Sequence, residues 1–493
     1  MNATVILPGG ENDASSPIYV LARQAFSRAA GAPLITGNRI RLLQDASENY
    51  PAWLNAIRAA KRHIHFESYI IHEDDIGRMF AAALTAKAQE GVSVRLIYDW
   101  LGGFGTASRA FWRGLRAGGV DVRCYNTARW DSPFGWLSRD HRKTLCVDGE
   151  IGFVSGLCIG RMWVGEPEKN FGAWRDTGIE VRGPSVADLE EAFSNIWAMT
   201  GKPISKRELV NRDAPVKEGE AAVRVVASIP ATGGMFRVDQ LVAALAKSRL
   251  WLTDAYYAGM TSYVQALRAA AKDGVDVRLL VPNATDVPLL KPLSRAGYRT
   301  LLEAGVRVFE WNGTMLHAKT AVADGRWARI GSTNLNIASW FGNCEMDVVV
   351  EDESFALMME KMFLSDLENA TEVVLDAKQM LHAPNKPPQR HPVLISGGGS
   401  AGRAAAGAIR IANVVAAAFT NRRVIEPVET RVTVLAGAVL LILAILCAFF
   451  PRLLAYPLVA LLAWIAIALL NQGYKLHCAK TRRKPDTNAS ASK

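Results

Sequence analysis

The strongest constraint on this chain is an octapeptide that occurs twice. His141-Arg142-Lys143-Thr144-Leu145-Cys146-Val147-Asp148 and His317-Ala318-Lys319-Thr320-Ala321-Val322-Ala323-Asp324 both read His-x-Lys-x4-Asp. The surroundings repeat as well. Gly91-Val92-Ser93-Val94-Arg95 is matched by Gly274-Val275-Asp276-Val277-Arg278, and Gly119-Val120-Asp121-Val122-Arg123 by Gly305-Val306-Arg307-Val308-Phe309, in the same order. Three ordered correspondences make an internal duplication. Two halves that each bring one His and one Lys then suggest a single shared site.

The periodicity of each half alternates between strand and helix. In the first, GNRIRLLQD (37–45) reads as a strand, 51–62 as a helix, HIHFESYI (63–70) as a strand, 76–89 as a helix and 91–100 as a strand; a helix near 105–117 and a strand at 117–125 follow. The second half replays this with strands at 223–230, 250–258 and 274–282 and helices at 238–249 and 261–273. That rhythm predicts an α/β fold of two similar domains. The expected boundaries are 1–34 for an N-terminal extension, 35–205 and 206–375 for the two domains, and 376–400 for a linker. The join lies in the polar, proline-bearing stretch 201–220, and 353–372 reads as a closing helix.

The remaining C-terminal sequence has a different character. Residues 401–431 are Ala-rich and fit an amphipathic helix, lying either at a membrane surface or on a solvated packing face. Residues 432–450 and 453–470 carry no charge, and at about 1.5 Å per residue each nearly spans a hydrocarbon core of about 30 Å. They predict a transmembrane helical hairpin. Arg422, Arg423 and Arg431 before it and Lys475, Lys480, Arg482, Arg483 and Lys484 after it predict that both flanks, the basic tail 471–493 and the duplicated region lie on the cytoplasmic side of an inner membrane. The formal charge of +10 favours an anionic partner without choosing among nucleic acid, anionic lipid and phosphorylated substrate. The 6 cysteines show no Cys-x-x-Cys pair and no dense framework, so neither a zinc ribbon nor a disulfide scaffold is indicated.

The i,i+2 spacing of His141 and Lys143, and of His317 and Lys319, puts each pair on one face of a strand. Two imidazoles and two ammonium groups in one cleft suit phosphodiester chemistry. One neutral His attacks phosphorus, the other donates a proton to the departing alcohol, and the lysines offset charge on the non-bridging oxygens. In GSTN (331–334), Ser332 and Asn334 alternate and are available to donate to phosphate. Glu345 is a carboxylate fit to fix a histidine tautomer, and Asp176 offers the same from the first copy. Asp148 and Asp324 read as motif scaffold. No metal site and no cofactor are expected.

On these stretches, together with FESYI, WRDTGIEVRGPSV and NCEMDVVVED, the chain resembles the phospholipase D superfamily over roughly residues 35–372, and within it the bacterial cardiolipin synthases. The resemblance implies two similar α/β domains with the site at their interface. It implies nucleophile and acid–base duties for His141 and His317, phosphate binding by Lys143, Lys319, Ser332 and Asn334, and His-orienting duty for Glu345 and Asp176. The activity implied is transfer of a phosphatidyl group between phospholipids through a phosphohistidine. The partners would be anionic phospholipids, the membrane surface and an acceptor alcohol or lipid headgroup. Hydrolysis with water as acceptor is the near alternative, and a nuclease of the same superfamily the more distant one. The chain departs from the family in one residue of the site: the Asn expected ten positions beyond the motif Asp is Asn334 in the second copy but Cys158 in the first.

Overall fold

The computed structural model describes residues 17–127, 138–169, 171–210, 216–286, 294–295, 297–375, 381–382, 438, 441–442, 445–446 and 449–481. The first half contributes strands β1 (Ile35–Gln44), β2 (His63–Ser68), β3 (Ser93–Asp99), β4 (Asp121–Tyr125), β5 (Lys143–Val147), β6 (Ile151–Ser155) and β7 (Thr177–Arg182). The second contributes β8 (Ala221–Ser228), β9 (Arg249–Thr253), β10 (Asp276–Pro282), β11 (Arg307–Trp311), β12 (Thr320–Ala323), β13 (Trp327–Gly331), β14 (Glu345–Glu351), β15 (Ala370–Leu375) and β16 (Leu381–His382).

Each half builds the same sheet. Its order is β4-β3-β2-β5-β6-β7-β1 in the first and β11-β10-β9-β12-β13-β14-β8 in the second. β2, β3 and β4 are parallel, as are β9, β10 and β11, and the remaining strands of each set run antiparallel. An antiparallel join between β1 and β8, with Asn38 opposite Ala221, merges the two into one sheet. Both halves lie within one compact unit, and the described residues among 126–127 and 438–481 belong to another. The two pseudo-symmetric α/β halves expected from the repeat are therefore present.

The repeated Gly-Val units explain how the parallel strands are fed. Gly91, Gly119, Gly274 and Gly305 all adopt φ between 91° and 94° just before a strand. This backbone region is open to glycine at little cost and closed to most other residues. The following valines, Val92, Val120, Val275 and Val306, are all buried. Each such side chain contributes about 1.5–3 kcal/mol on leaving water. One apolar cluster draws on both halves, packing Val154, Ile179 and Val181 with Leu316, Ile330, Met346 and Val348.

The motif aspartates close each β-hairpin at its turn. Asp148 and Asp324 take left-handed φ values of 56° and 50°, each followed by a glycine of the same hand. Asp148 accepts from the backbone N–H groups of Lys61, Arg62 and His63 at 2.7–2.9 Å. Asp324 accepts from those of Lys247, Ser248 and Arg249 at 2.8–2.9 Å. Each carboxylate thus ties the turn after its motif to the chain entering the neighbouring strand.

Two expectations need correction. The transmembrane hairpin at 432–470 is overturned: among the described residues, no helix is long and apolar enough to cross a membrane. Of the first run only scattered positions are described. The second run falls inside one helix, Pro451–Thr481, which takes in Pro457 and continues through the polar sequence after Leu470 instead of stopping with the apolar stretch. The multi-pass inner-membrane placement and the orientation drawn from the hairpin's flanks fall with it. The closing helix also ends earlier than expected, at Glu368, because Thr371, Val373 and Val374 continue as β15 along the edge of β11. The expected amphipathic helix (401–431), nearly all of the linker (376–400) and the end of the basic tail lie outside the described residues.

Replacing Asp324 with Ala removes an acceptor from three backbone donors and leaves a non-glycine residue without local support in the left-handed region. Chemical denaturation followed by circular dichroism is expected to show a loss of about 2–4 kcal/mol. Asp324→Asn keeps an acceptor oxygen and tolerates the turn, so it should lose less than half as much.

Candidate active site

Each motif histidine is held by a segment of the opposite half. The His141 N–H donates to the Cys344 carbonyl at 2.9 Å, and the Cys344 N–H donates to the Arg139 carbonyl at 2.8 Å. The other copy repeats the arrangement: the His317 N–H donates to the Arg175 carbonyl at 2.7 Å and the Arg175 N–H to the Met315 carbonyl at 2.8 Å. The residues following Cys344 and Arg175 are Glu345 and Asp176. The two bridges therefore deliver one carboxylate to each imidazole.

The carboxylates consequently cross between copies. His141 Nδ1 lies 2.9 and 3.1 Å from the two oxygens of Glu345, and His317 Nδ1 lies 2.8 Å from Asp176 Oδ2. An anionic acceptor at Nδ1 fixes the proton there and leaves Nε2 with its lone pair. Both carboxylates are fully buried and further tied down. Glu345 accepts from Ser332 Oγ at 2.5 Å and Asn343 Nδ2 at 3.3 Å. Asp176 accepts from Trp163 Nε1 at 3.2 Å and its Oδ1 from the Thr177 N–H at 2.8 Å. Gly156 makes room for Asp176, since a Cβ there would fall 2.1 Å from Oδ1.

The lysines sit beside their own histidines. Lys143 Nζ donates to the His141 carbonyl and Lys319 Nζ to the His317 carbonyl. Lys319 Nζ is also 3.1 Å from His317 Nδ1. Tyr69 faces Lys143 at 5.0 Å and meets the His141 ring edge-on at 4.9 Å; Tyr256 faces Lys319 at 5.8 Å and meets His317 edge-on at 5.8 Å. Trp163 and Trp174 complete the apolar wall around His317, with ring centroids 5.7 and 5.5 Å away.

Burial governs the electrostatics. It lowers His141 to about 4 despite the pull of Glu345, with Lys143 and Lys319 adding to the depression. It lowers His317 to about 3, aided by Lys319 and Lys143 and opposed by Asp176. Each imidazole thus senses both lysines, so the two copies converge on one site. Burial also lowers Lys319 to about 8. Burial pulls Glu345 and Asp176 upward, but the charge and hydrogen bond of the facing histidine outweigh it and hold both below their ordinary values.

The other expected residues divide. Ser332 is engaged with Glu345 and also accepts from the Met346 N–H at 2.9 Å, so it braces the carboxylate. The Asn334 side chain reaches only Ser339 Oγ, from Nδ2 at 3.5 Å, and its Oδ1 has no hydrogen-bond partner. Cys158 is buried within reach of the fields of Lys143 and Lys319, and burial pushes its thiol up. Glu67 and Asp254, at matched positions, are buried and accept from Thr144 Oγ1 and the Leu335 N–H respectively. Sequence reasoning missed Trp163, Asn343 and Trp174, for which no signal existed. It also passed over Tyr69 and Tyr256, which recur two residues after Glu67 and Asp254. Arg142, the variable residue of the first motif, is buried and donates to the carbonyls of Glu345, Ala192 and Ser228 at 2.9–3.2 Å. Its counterpart is Ala318.

A duplicated α/β chain that brings two carboxylate-backed imidazoles and two lysines within each other's fields fits the class of enzymes that process phosphodiesters through histidine. A family model described as cardiolipin synthase, phospholipase D-like domain, matches residues 53–197 and 242–367. A cardiolipin synthase of Alkalihalophilus pseudofirmus is 32% identical over 345 residues, 69% of this chain and 68% of the relative. Cardiolipin synthase A of Pseudomonas fluorescens is 34% identical over 364 residues, 73% and 74% of the two chains. Among solved structures, phosphatidylserine synthase of Haemophilus influenzae superposes with a TM-score of 0.58 at 16% identity, covering 75% of this chain and 95% of that one, a likeness of fold. The chain belongs to the phospholipase D superfamily. Its chemistry is the superfamily's, phosphatidyl transfer or hydrolysis at a histidine-based site.

The crossing of the carboxylates has a measurable signature. In ring-proton NMR titrations, Glu345→Gln is expected to lower His141 further, because it removes the charge that raises it, and to leave His317 nearly unchanged. Asp176→Asn should do the reverse.

Proposed function

We propose that this chain is a phosphatidyltransferase of the cardiolipin synthase type, taking a phosphatidyl group from one phospholipid and passing it to a hydroxyl of another. The observation that carries this reading is the pair of neutral imidazoles, each with Nδ1 engaged by a buried carboxylate and Nε2 left for chemistry. The names of the most similar relatives support the choice of lipid.

In the proposed reaction the phosphodiester enters between Lys143 and Lys319. Its negative charge offsets the lysines that depress the two histidines, so one imidazole gains a proton on binding while the other stays neutral. The neutral Nε2 attacks phosphorus, the P–O bond to the leaving alcohol breaks, and the protonated imidazole donates its proton to that alkoxide. A phosphatidyl-histidine remains. The second imidazole, now neutral, takes the proton of the incoming hydroxyl as its oxygen attacks phosphorus, and the P–N bond breaks to release the product lipid. Glu345 and Asp176 hold the ring orientation and stabilise the imidazolium in either half of the cycle. Lys143 and Lys319 offset charge on the non-bridging oxygens.

Purified protein supplied with phosphatidylglycerol vesicles is expected to form cardiolipin and glycerol. His141→Ala and His317→Ala should each reduce the rate by roughly 10²–10⁴-fold. Phosphatidic acid as the sole product would replace transfer by hydrolysis, and inert lipid with cleaved DNA would overturn both. The pH profile should show an alkaline limb. Lys319 is charged below about 8 and loses its proton as the pH rises through that value, so kcat/KM should fall there.

A further inference from the structure

At the end of β2 away from Tyr69 lies a second cluster of ligand-type side chains, separate from the site above. His63 and His65 project from the same face of the strand, and Glu190 reaches them from the helix Val186–Met199; all three are buried. One ligand atom from each lies within 4.8 Å of the others. Glu190 Oε1 pairs with His63 Nε2 and stands 3.6 Å from His65 Nδ1, while Oε2 accepts from the Val210 N–H at 3.0 Å. The imidazoles stack at 4.6 Å, and the outer face of His65 stacks on Phe193 at 4.7 Å. The rings are therefore fixed in place before any ligand arrives.

One atom of this cluster is unsatisfied. His65 Nδ1 is buried and has no hydrogen-bond partner, although His65 itself is wholly inaccessible to solvent. The nearest acceptor, Glu190 Oε1, is engaged by His63. We infer that His63, His65 and Glu190 form a binding site for a divalent transition-metal ion of the zinc type, acting as a structural staple between β2 and the helix Val186–Met199. Two imidazole nitrogens and one carboxylate oxygen are a donor set such ions accept. Bonds of about 2.0–2.1 Å at tetrahedral angles place donor atoms roughly 3.4 Å apart, close to the 3.6 Å already separating His65 from Glu190. The His63–Glu190 pair opens to admit the ion. The fourth position falls to water beside His63, the most exposed of the three ligands.

Arg95 opposes the ion and makes the inference specific. Its Nη1 lies 3.3 Å from His65 Nε2, and its Nη2 lies 2.5 Å from Glu208 Oε2. Without metal, Arg95 donates to Nε2, and the imidazole proton sits on Nδ1. With metal on Nδ1 that proton moves to Nε2, where it faces another donor, and Arg95 must turn fully to Glu208. A glutamine at position 95 instead offers a carbonyl to the Nε2 proton, the kind of outer partner that strengthens a metal-bound imidazole.

The full chain, stripped with a chelator and titrated with Co2+, tests this independently of lipid chemistry. The expected result is one equivalent bound with the visible absorption of four-coordinate Co2+. Binding should persist in the His141→Ala/His317→Ala double variant and weaken by at least roughly 10–100-fold in His65→Gln or Glu190→Gln. It should tighten in Arg95→Gln. Absence of binding in the unmodified chain overturns the inference, as does binding lost with His141 and His317 but retained in His65→Gln. If the ligand variants do not fold, the thermal midpoint decides: Zn2+ should raise it more in Arg95→Gln than in the unmodified protein, and an equal or smaller rise overturns the site.

Discussion

The site depends on a reciprocal exchange between the halves. Residues 139–141 bond to Cys344, residues 315–317 bond to Arg175, and each bridge sets the next carboxylate against an imidazole of the other half. Two backbone hydrogen bonds per bridge, buried and shielded from water, fix what a flexible side-chain contact would leave loose. The merged sheet and the shared apolar cluster serve this exchange by holding both halves in one register. The tautomer that frees Nε2 follows from it, while burial and the two lysines depress both histidines against the pull of the carboxylates.

Pseudo-symmetry extends through the framework and breaks at the site. Glycines, motif aspartates and the Tyr69 and Tyr256 pair match across the halves. Arg142 has no partner in Ala318, and Cys158 stands where the other half has Asn334. Arg142 binds three carbonyls on separate segments, so the first motif is clamped by a buried cation that the second lacks. The second motif is instead walled by Trp163, Trp174 and Tyr256. The two imidazoles are alike in partners but differ in surroundings.

What the sequence disclosed was whatever repeats or alternates locally. The Gly-Val units marked the helix-to-strand turns because a backbone near φ +90° demands glycine, and the strand periodicity located β1 to β4 and β8 to β10 but left β6, β7 and β14 unassigned. The His-x-Lys-x4-Asp copies marked the chemistry for the same reason. Contacts that join distant residues left no such trace. His141 and Glu345, or Arg142 and Ser228, meet only after the halves dock, so spacing suggested a carboxylate for each histidine without revealing that it comes from the opposite copy. Composition misled at the C-terminus, where uncharged runs read as a hairpin. Hydropathy measures the sequence of a run and says nothing of whether a helix begins and ends with it.

Because each imidazole is completed from the other side, neither half by itself pairs its histidine with a carboxylate. A single ancestral half would have needed an identical second copy, docked through a two-fold contact in which the same patch serves both subunits. Joining the copies in one chain removes the dependence of assembly on concentration. It also removes the requirement that every substitution appear twice. Arg142 and Cys158 are changes of that kind, open to a fused pair and closed to a true homodimer.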